Sequence, residues 1–367
     1  MYILGIETSC DETSVALLGA DGEVRCNLIA SQVARHQPFG GVVPEIASRE
    51  HLVHLFPLLE EALREGGASW NEVETIAVTA GPGLIGALLV GVSAAQGLSY
   101  ALGIPLVAVN HLEGHLFSPF LQASGASIPL PPRFLSIVIS GGHSSIYDVA
   151  AVDGRLEIDM LNRTRDDAIG ETFDKVAKFV GLPYPGGPQV ERLARAGKAD
   201  RKRFPFPVPQ FKESSLDFSF SGLKAAAIRW AREYRVSEEQ AALADFCATF
   251  QDALFEQLFN RLETIWQLVR RSAPPRPTEI ALAGGVAANG VLRERMQAWG
   301  RKNGVIVRLP EKRFCTDNAA MIAFAGIQRR SDAGDPRLVT AHSRMAVGAS
   351  RISSETSVPA GRPIDER

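Results

Sequence analysis

Tyr2-Ile-Leu-Gly-Ile-Glu-Thr-Ser-Cys-Asp-Glu-Thr-Ser-Val-Ala-Leu-Leu-Gly-Ala-Asp-Gly22 recurs without gaps as Phe134-Leu-Ser-Ile-Val-Ile-Ser-Gly-Gly-His-Ser-Ser-Ile-Tyr-Asp-Val-Ala-Ala-Val-Asp-Gly154. Each copy alternates β-forming runs with small polar residues and closes on Asp-Gly, a dipeptide that tolerates the positive φ of a tight hairpin turn. Each therefore predicts a strand, a small polar loop, a second strand, a hairpin turn and a third strand. A second pair of segments follows, Thr75-Ile-Ala-Val-Thr-Ala-Gly-Pro-Gly83 against Thr278-Glu-Ile-Ala-Leu-Ala-Gly-Gly-Val286. Both read as an apolar strand running into a glycine turn and a helix. Both helices end near glycine, ahead of another strand.

Two copies of this pattern predict an α/β chain of two similar halves whose polar loops face each other across a cleft. That is the plan of a duplicated actin-like ATPase (ribonuclease H-like) fold. The halves fall at residues 1–130 and 131–330. A mostly helical insertion, about residues 192–277, belongs to the second half; it carries amphipathic stretches such as Glu238 to Val269 and ends on Ser272-Ala-Pro-Pro-Arg-Pro277. Residues 331–367 lack apolar periodicity and read as a partly disordered tail. The facing loops, Glu7-Thr-Ser-Cys-Asp-Glu-Thr13 and Ser140-Gly-Gly-His-Ser144, hold small residues whose backbone N–H groups can approach phosphate oxygens. Most single glycine loops only turn the chain; matching positions in a duplication give these two weight.

At 367 residues, 46% hydrophobic and 22% charged, the chain is long enough for two cores without covalent staples. Its net charge of −2 gives no global pull toward nucleic acid, so RNA contact must come from local clusters. Such clusters occur at Arg163 and Arg165, at Lys198-Ala-Asp-Arg-Lys-Arg203, at Arg270-Arg271 and at Lys312-Arg313; singly, each reads as a solvated face. The four cysteines, Cys10, Cys26, Cys247 and Cys315, form no CxxC pair, which argues against a disulfide framework and a cysteine zinc site. With a strand at the start and no targeting pattern, the expected compartment is the cytoplasm. Gly83 to Val109 is uncharged and long enough to span a bilayer, but it is rich in Gly, Ala and Ser and broken at Gly103-Ile-Pro105. It reads better as a core helix followed by a buried strand, with no membrane partner.

A series of ordered motifs carries a more specific signal: Gly41-Val-Val-Pro-Glu-Ile-Ala-Ser-Arg-Glu-His51, Asn110-His-Leu-Glu-Gly-His115, Asp167-Ala-Ile-Gly-Glu-Thr-Phe-Asp-Lys175 and Tyr184-Pro-Gly-Gly-Pro188. Phe218-Ser-Phe-Ser-Gly-Leu-Lys224, Gly284-Gly-Val-Ala-Ala-Asn289 and Asp317-Asn-Ala-Ala-Met321 follow. Up to about residue 330 the chain resembles the tRNA N6-adenosine threonylcarbamoyltransferase family, most closely its bacterial branch. Ser144 and Ile169 are small departures from its pattern, and neither removes an assigned polar group. The resemblance implies transfer of a threonylcarbamoyl group from threonylcarbamoyl-adenylate to N6 of adenosine 37, in tRNAs reading codons that begin with A. It also implies an adenine nucleotide (threonylcarbamoyl-adenylate or ATP) in the cleft and one divalent metal per chain, iron(II) or zinc. The implied bacterial partners are a paralogous scaffold subunit and a small ATPase subunit.

His111 and His115 are four residues apart at the start of a predicted helix, so both imidazoles leave one face about one turn apart. An isolated pair of this kind is more often structural; the resemblance makes both metal ligands and adds Asp317 as the third. Two histidines and one carboxylate leave coordination positions open, as iron(II) or zinc acting as a Lewis acid requires. A metalloprotease of the HExxH kind is the main rival, but there the base directly follows the first histidine. Here Leu112 does, and Glu113 points to the other side of the helix.

The resemblance further matches Val138, Ile139, Ser140, Gly141 and Gly142 to the phosphate-contacting loop. It places Asp174, Gly187 and Asn289 at the adenosine and ribose end. Glu191 reads equally as a ribose partner or as a solvated helix carboxylate. Ser9, Asp11 and Glu12 sit where the superfamily places phosphate and metal-water chemistry; Asp11 or Glu12 is the candidate general base, and the sequence leaves open the alternative that both merely solvate a turn. Two further rivals, a small-molecule kinase of the same superfamily and a non-catalytic scaffold paralogue, do without the His111, His115 and Asp317 set. Finally, Leu84 to Leu102 offers no polar face, while Leu52, Leu55, Leu59 and Leu63 form a stripe that covers only part of it. The remainder is expected to face the scaffold subunit or, in a homodimer, a second copy, with Leu55 directed outward.

Overall fold

In a computed structural model, which describes residues 1–122, 124–207 and 215–348, the chain forms two five-stranded sheets built to one plan. The first half contains β1 (Tyr2–Glu7), β2 (Glu12–Gly19), β3 (Val24–Ser31), α1 (Val33–His36), α2 (Pro44–Gly66), β4 (Val73–Gly81), α3 (Ile85–Leu102), β5 (Leu106–Asn110) and α4 (His111–Phe117). The second contains β6 (Arg133–Ile139), β7 (Ser144–Val152), β8 (Arg155–Arg163), α5 (Ile169–Phe179), α6 (Gly186–Ala194), α7 (Ser221–Glu233) and α8 (Gln240–Val269). It closes with β9 (Glu279–Ala283), α9 (Gly290–Asn303), β10 (Ile306–Arg308) and α10 (Ala319–Gln328).

The sheet orders are β3-β2-β1-β4-β5 and β10-β9-β6-β7-β8, the same arrangement read in opposite directions. In each, an antiparallel meander is extended by two parallel strands, and a helix makes the crossover between those two. Two details differ from the sequence reading. The hairpins pair Glu7 with Ser14 but Ile139 with Ser144, so the first loop is two residues wider than its counterpart despite the gapless sequence match. In the parallel strands, Ile3 pairs with Thr75 and its counterpart Leu135 with Ile280, so Thr75 corresponds to Ile280 rather than to Thr278.

The halves interlock. Although α10 lies at the end of the second half in sequence, it packs on β1, β2 and β4 of the first sheet, while α4 packs on β6 and β9 of the second. The two helices meet at Gly114, where an added Cβ would stand 2.8 Å from Ile322 Cδ1 and 3.0 Å from Met321 Cγ. One buried cluster joins Leu116 and Phe117 to Phe134, Val138 and the face of α10 running from Ala319 to Ala325. The exchange brings the start of α4 beside the residue preceding α10's cap.

On the outside of the first half, α2 turns Ala47, His51, Leu55, Leu59, Ala62 and Leu63 inward, a stripe of helical period that includes one histidine. Leu55 is therefore fully buried, which corrects its expected outward direction; Leu52, Val53 and Phe56 are the exposed apolar residues of that helix. Helix α3 is long and apolar enough to cross a membrane; it packs on β4 and α2 and leaves Ile85, Leu89 and Tyr100 exposed.

Residues 331–348, read from sequence as the start of a disordered tail, pack as a strap along the first half. Gln96 Nε2 donates to the carbonyls of Pro336 and Val339 at 2.8 and 2.9 Å. Further along, the His342 N–H donates to Ala80 O and Asn110 Nδ2 to Ala346 O. Backbone donors and acceptors supply these contacts, so hydropathy patterning carries no sign of them. The rest of the expected tail, residues 349–367, lies outside the described residues.

Candidate metal and nucleotide centre

β1 is apolar until its last residue. Glu7 there is fully buried, and a carboxylate in that setting needs partners. Its Oε1 accepts from the Ser9 N–H at 2.5 Å; its Oε2 accepts from Thr79 Oγ1 at 2.6 Å and lies 3.0 Å from His111 Nδ1. Because Nδ1 is held by Glu7 and lies 3.1 Å from Ser9 Oγ, His111 turns its Nε2 toward Asp317, 3.5 Å away. His115 Nε2 lies 3.0 Å from the same Asp317 oxygen. The two imidazoles stand nearly perpendicular, with centroids 4.8 Å apart.

One donor atom from each of His111, His115 and Asp317 thus lies within 4.8 Å of the others. Two imidazole nitrogens and a carboxylate converging in this way fit a metal ion with positions left open. The Glu7–His111 contact is the carboxylate–histidine support that typically orients such a ligand. Electrostatics agree. Burial opposes charge on His111, but Asp317 and Glu7 outweigh it and push the imidazole up to about 9. Burial likewise works against ionised Asp317, yet the facing histidines hold it well below the ordinary carboxylate range.

Glu113 confirms that the helix is not built for proteolysis. Fully buried, it accepts from Arg329 Nε at 2.8 Å and from the Gly348 N–H at 2.8 Å, on the side of α4 away from the histidines.

Across the cleft, the loop from Ser140 to His143 is stripped of bulk. An added Cβ on Gly141 or Gly142 would find no atom within 4 Å, leaving their backbone approachable by a ligand. Gly170 lets α5 close on this loop: its N–H donates to Ser140 O at 3.1 Å, and a Cβ there would stand 2.5 Å from the same oxygen. Gly284, at φ +87°, leaves no room for a side chain beside Ile139 O. Val138 and Ile139 lead into this loop but contribute no side chain to the cleft, since both are fully buried in separate core clusters. Burial lowers the affinity of His143 for a proton and the neighbouring His111 and His115 lower it further, to about 4.

Asp174 Oδ1 accepts from the Gly186 N–H at 2.7 Å and so anchors the start of α6, where Gly187 is open to ligand. Asn289 and Glu191 are already engaged within the protein. Asn289 caps α9 by accepting from the Leu292 N–H, and its Nδ2 donates to Gln251 Oε1 at 2.7 Å. Glu191 Oε1 accepts from the Gly290 N–H at 3.0 Å and from Arg195 at 2.7 Å, joining α6 to α9. On the first loop, burial raises Asp11, and burial with the Asp11 charge pushes Glu12 up to about 8. Glu12 Oε1 accepts from Ser31 Oγ, while its Oε2 is buried without a partner. Ser9 Oγ lies 3.1 Å from His111 Nδ1. Sequence reasoning passed over Glu7 and His143; a lone acidic residue closing an apolar strand was the available signal for the first.

Some members of the basic clusters are engaged by neighbours. Arg165 pairs with Asp217, Arg201 with Asp252 and Glu256, and Arg203 lies over the rings of Phe204 and Tyr234.

Comparison with known proteins agrees with this geometry. In fold, the chain is similar to HypF from T. kodakarensis, at 16% identity and a TM-score of 0.56, covering 90% of this chain and 48% of that one. A full-length HypF in the phosphate- and nucleotide-bound form gives a TM-score of 0.55 at 12% identity, covering 90% of this chain and 55% of that one. Sequence relatives are much nearer. The tRNA N6-adenosine threonylcarbamoyltransferase of Moorella thermoacetica is 48% identical, covering 88% of this chain and 90% of its own. That of Ralstonia pickettii is 46% identical over 90% and 91%. The family model TsaD, tRNA N6-adenosine threonylcarbamoyltransferase, matches residues 23–324, a span that takes in His111, His115, the glycine loop and Asp317, so the chain belongs to the tRNA N6-adenosine threonylcarbamoyltransferase family.

Proposed function

We propose that this chain transfers the threonylcarbamoyl group from threonylcarbamoyl-adenylate to N6 of adenosine 37 in tRNAs reading codons that begin with A. Family membership supports the reaction class. Two features of this molecule carry the reading: the loop from Ser140 to His143, where Gly141 and Gly142 leave their backbone open, and the convergence of His111, His115 and Asp317. A phosphate held by the first and an acyl oxygen near the second would belong to one bound adenylate.

In the reaction, the N6 amine attacks the carbamoyl carbonyl, the bond to the adenylate phosphate breaks, AMP leaves, and the amine's proton must be taken up. His111, His115 and Asp317 would hold one iron(II) or zinc ion, which when bound supplies Lewis-acid stabilisation of negative charge on oxygen. The backbone at Ser140, Gly141 and Gly142 would bind phosphate, with Gly187 and the ends of α6 and α9 near the nucleoside. Asp11 or Glu12 would accept the proton; a carboxyl raised to about 8, as Glu12 is, suits a base working near neutral pH.

The apolar ridge of Leu52, Phe56 and Leu89 is the face we assign to the paralogous scaffold subunit or a second copy. Four free cysteines accord with a reducing compartment, the cytoplasm. The reaction is tested by incubating metal-loaded protein and its partner subunits with threonylcarbamoyl-adenylate and unmodified tRNA, then digesting the RNA to nucleosides for mass spectrometry. Threonylcarbamoyl-adenosine is the expected product. Unmodified tRNA, together with ATP-dependent phosphorylation of a small molecule, would replace this reading with the kinase one.

A further inference from the structure

The inward stripe of α2 contains one residue out of keeping with the rest, since His51 sits fully buried between Ala47 and Leu55, where a leucine would pack as well. Burying an imidazole is costly unless both nitrogens find partners. Both do. His51 Nε2 is 3.0 Å from Cys10 O, and His51 Nδ1 is 2.7 Å from Thr13 Oγ1. A carbonyl only accepts, so Nε2 carries the hydrogen; burial lowers the ring's affinity for a second proton, so the Thr13 hydroxyl donates to Nδ1. The ring is thereby fixed as one neutral tautomer, spanning the two ends of the Cys10–Thr13 segment.

A second arm holds the same segment. The Gln32 N–H donates to Asp11 O at 3.0 Å, and Gln32 Oε1 accepts from His36 Nε2 at 3.1 Å. His36 Nδ1 in turn accepts from the N–H of Val43, the residue that caps α2. The peptide carbonyls on either side of Asp11 are thus both tied, one through His51 and one through Gln32, to the first turns of α2. Asp11 and Glu12 ride on the segment these bonds fix.

We propose that His51 is a positioning residue for the transfer reaction, holding Cys10 O and Thr13 so that Asp11 and Glu12 keep their direction into the cleft. The proposal rests on the transfer reading above. It also gives a physical role to the histidine that closes Gly41-Val-Val-Pro-Glu-Ile-Ala-Ser-Arg-Glu-His51, a motif to which the metal and nucleotide sites assign none.

The test compares His51→Leu and His51→Gln in the transfer assay with the full metal-loaded chain and its partner subunits. Leucine fills the stripe but cannot donate to Cys10 O; glutamine supplies an amide N–H for that carbonyl. His51→Leu is expected to lower kcat about 100-fold, the usual cost of misplacing a reacting group by about 1 Å, with KM and metal content unchanged. His51→Gln is expected to recover most of that loss. Introduced beside Glu12→Gln and Asp11→Asn, His51→Leu should add little, because it acts through carboxylates already removed. Full activity in His51→Leu, a folded His51→Gln as impaired as the leucine variant, or an undiminished loss in the carboxylate-free background would each overturn the proposal while leaving the transfer reading intact. A wild type that makes no threonylcarbamoyl-adenosine would overturn both.

Discussion

The loop after β1 and the loop after β6 occupy matching places in a duplicated fold, yet they have been put to opposite uses. The first carries Glu7, Ser9, Asp11 and Glu12, is two residues wider, and has its side chains and carbonyls tied to His111, Thr79, His51 and Gln32. The second presents Ser140, Gly141 and Gly142 with open space where side chains would be. One loop gathers charged side chains; the other leaves its backbone bare. The fold duplicates the scaffold, and sequence divergence within the two loops divides the labour.

The comparison is broken most severely by emptying the metal set. His115→Ala leaves two of three donors and should lower transfer by about three orders of magnitude, equivalent to losing several kcal/mol of charge stabilisation. The transfer assay and metal analysis on the same sample check this. Next comes the support behind the set: Glu7→Ala frees His111 Nδ1, and competition with a chelator should show metal affinity lowered about 10- to 100-fold.

On the opposite loop, an added Cβ at position 142 meets no protein atom within 4 Å, so thermal stability of Gly142→Ala should hold while its side chain obstructs the ligand. KM for threonylcarbamoyl-adenylate should rise about tenfold, a loss of about 1.4 kcal/mol of binding. Similar damage to stability and KM would mean that the glycines serve folding alone.

The smallest effect concerns Glu12. Its ordinary value is 4.5 and burial with the Asp11 charge pushes it up to about 8, so between those values the folded chain keeps a proton that the unfolded chain has released. Its contribution to stability therefore falls as pH rises through that window. Glu12→Gln should flatten this part of the stability–pH curve, read as denaturant midpoints at pH 5 and pH 8.5. An unchanged slope would place Glu12 in an ordinary solvated setting.

Much of this was legible because the responsible signals are local. Strand boundaries, the Asp-Gly turns and the HxxxH spacing of His111 and His115 depend on residues near in sequence. What escaped depends on pairings across the fold. The two-residue register shift between the hairpins leaves composition untouched. Leu55 and Leu52 are equally apolar, and only the histidine at position 51, one turn before Leu55, marks the side that faces the sheet. Glu191 and Asn289 also bind within the protein, to Gly290, Arg195 and Gln251, pairings that the sequence does not display. The strap from 336 to 348 combines backbone hydrogen bonds with a few scattered apolar contacts, Val339 and Met345 among them, too sparse to make a periodic pattern.

The central claim is that one metal ion is held by both halves of the chain, through His111 and His115 from the first and Asp317 from the second. X-ray absorption spectroscopy of the iron- or zinc-loaded protein tests it most directly, read beside metal stoichiometry for wild type and Asp317→Asn. The account predicts one ion per chain, a first shell of nitrogen and oxygen containing two imidazoles, and marked loss of metal in Asp317→Asn. Sulfur in the first shell, as from Cys10, or full retention of metal by Asp317→Asn together with His115→Ala, would contradict it.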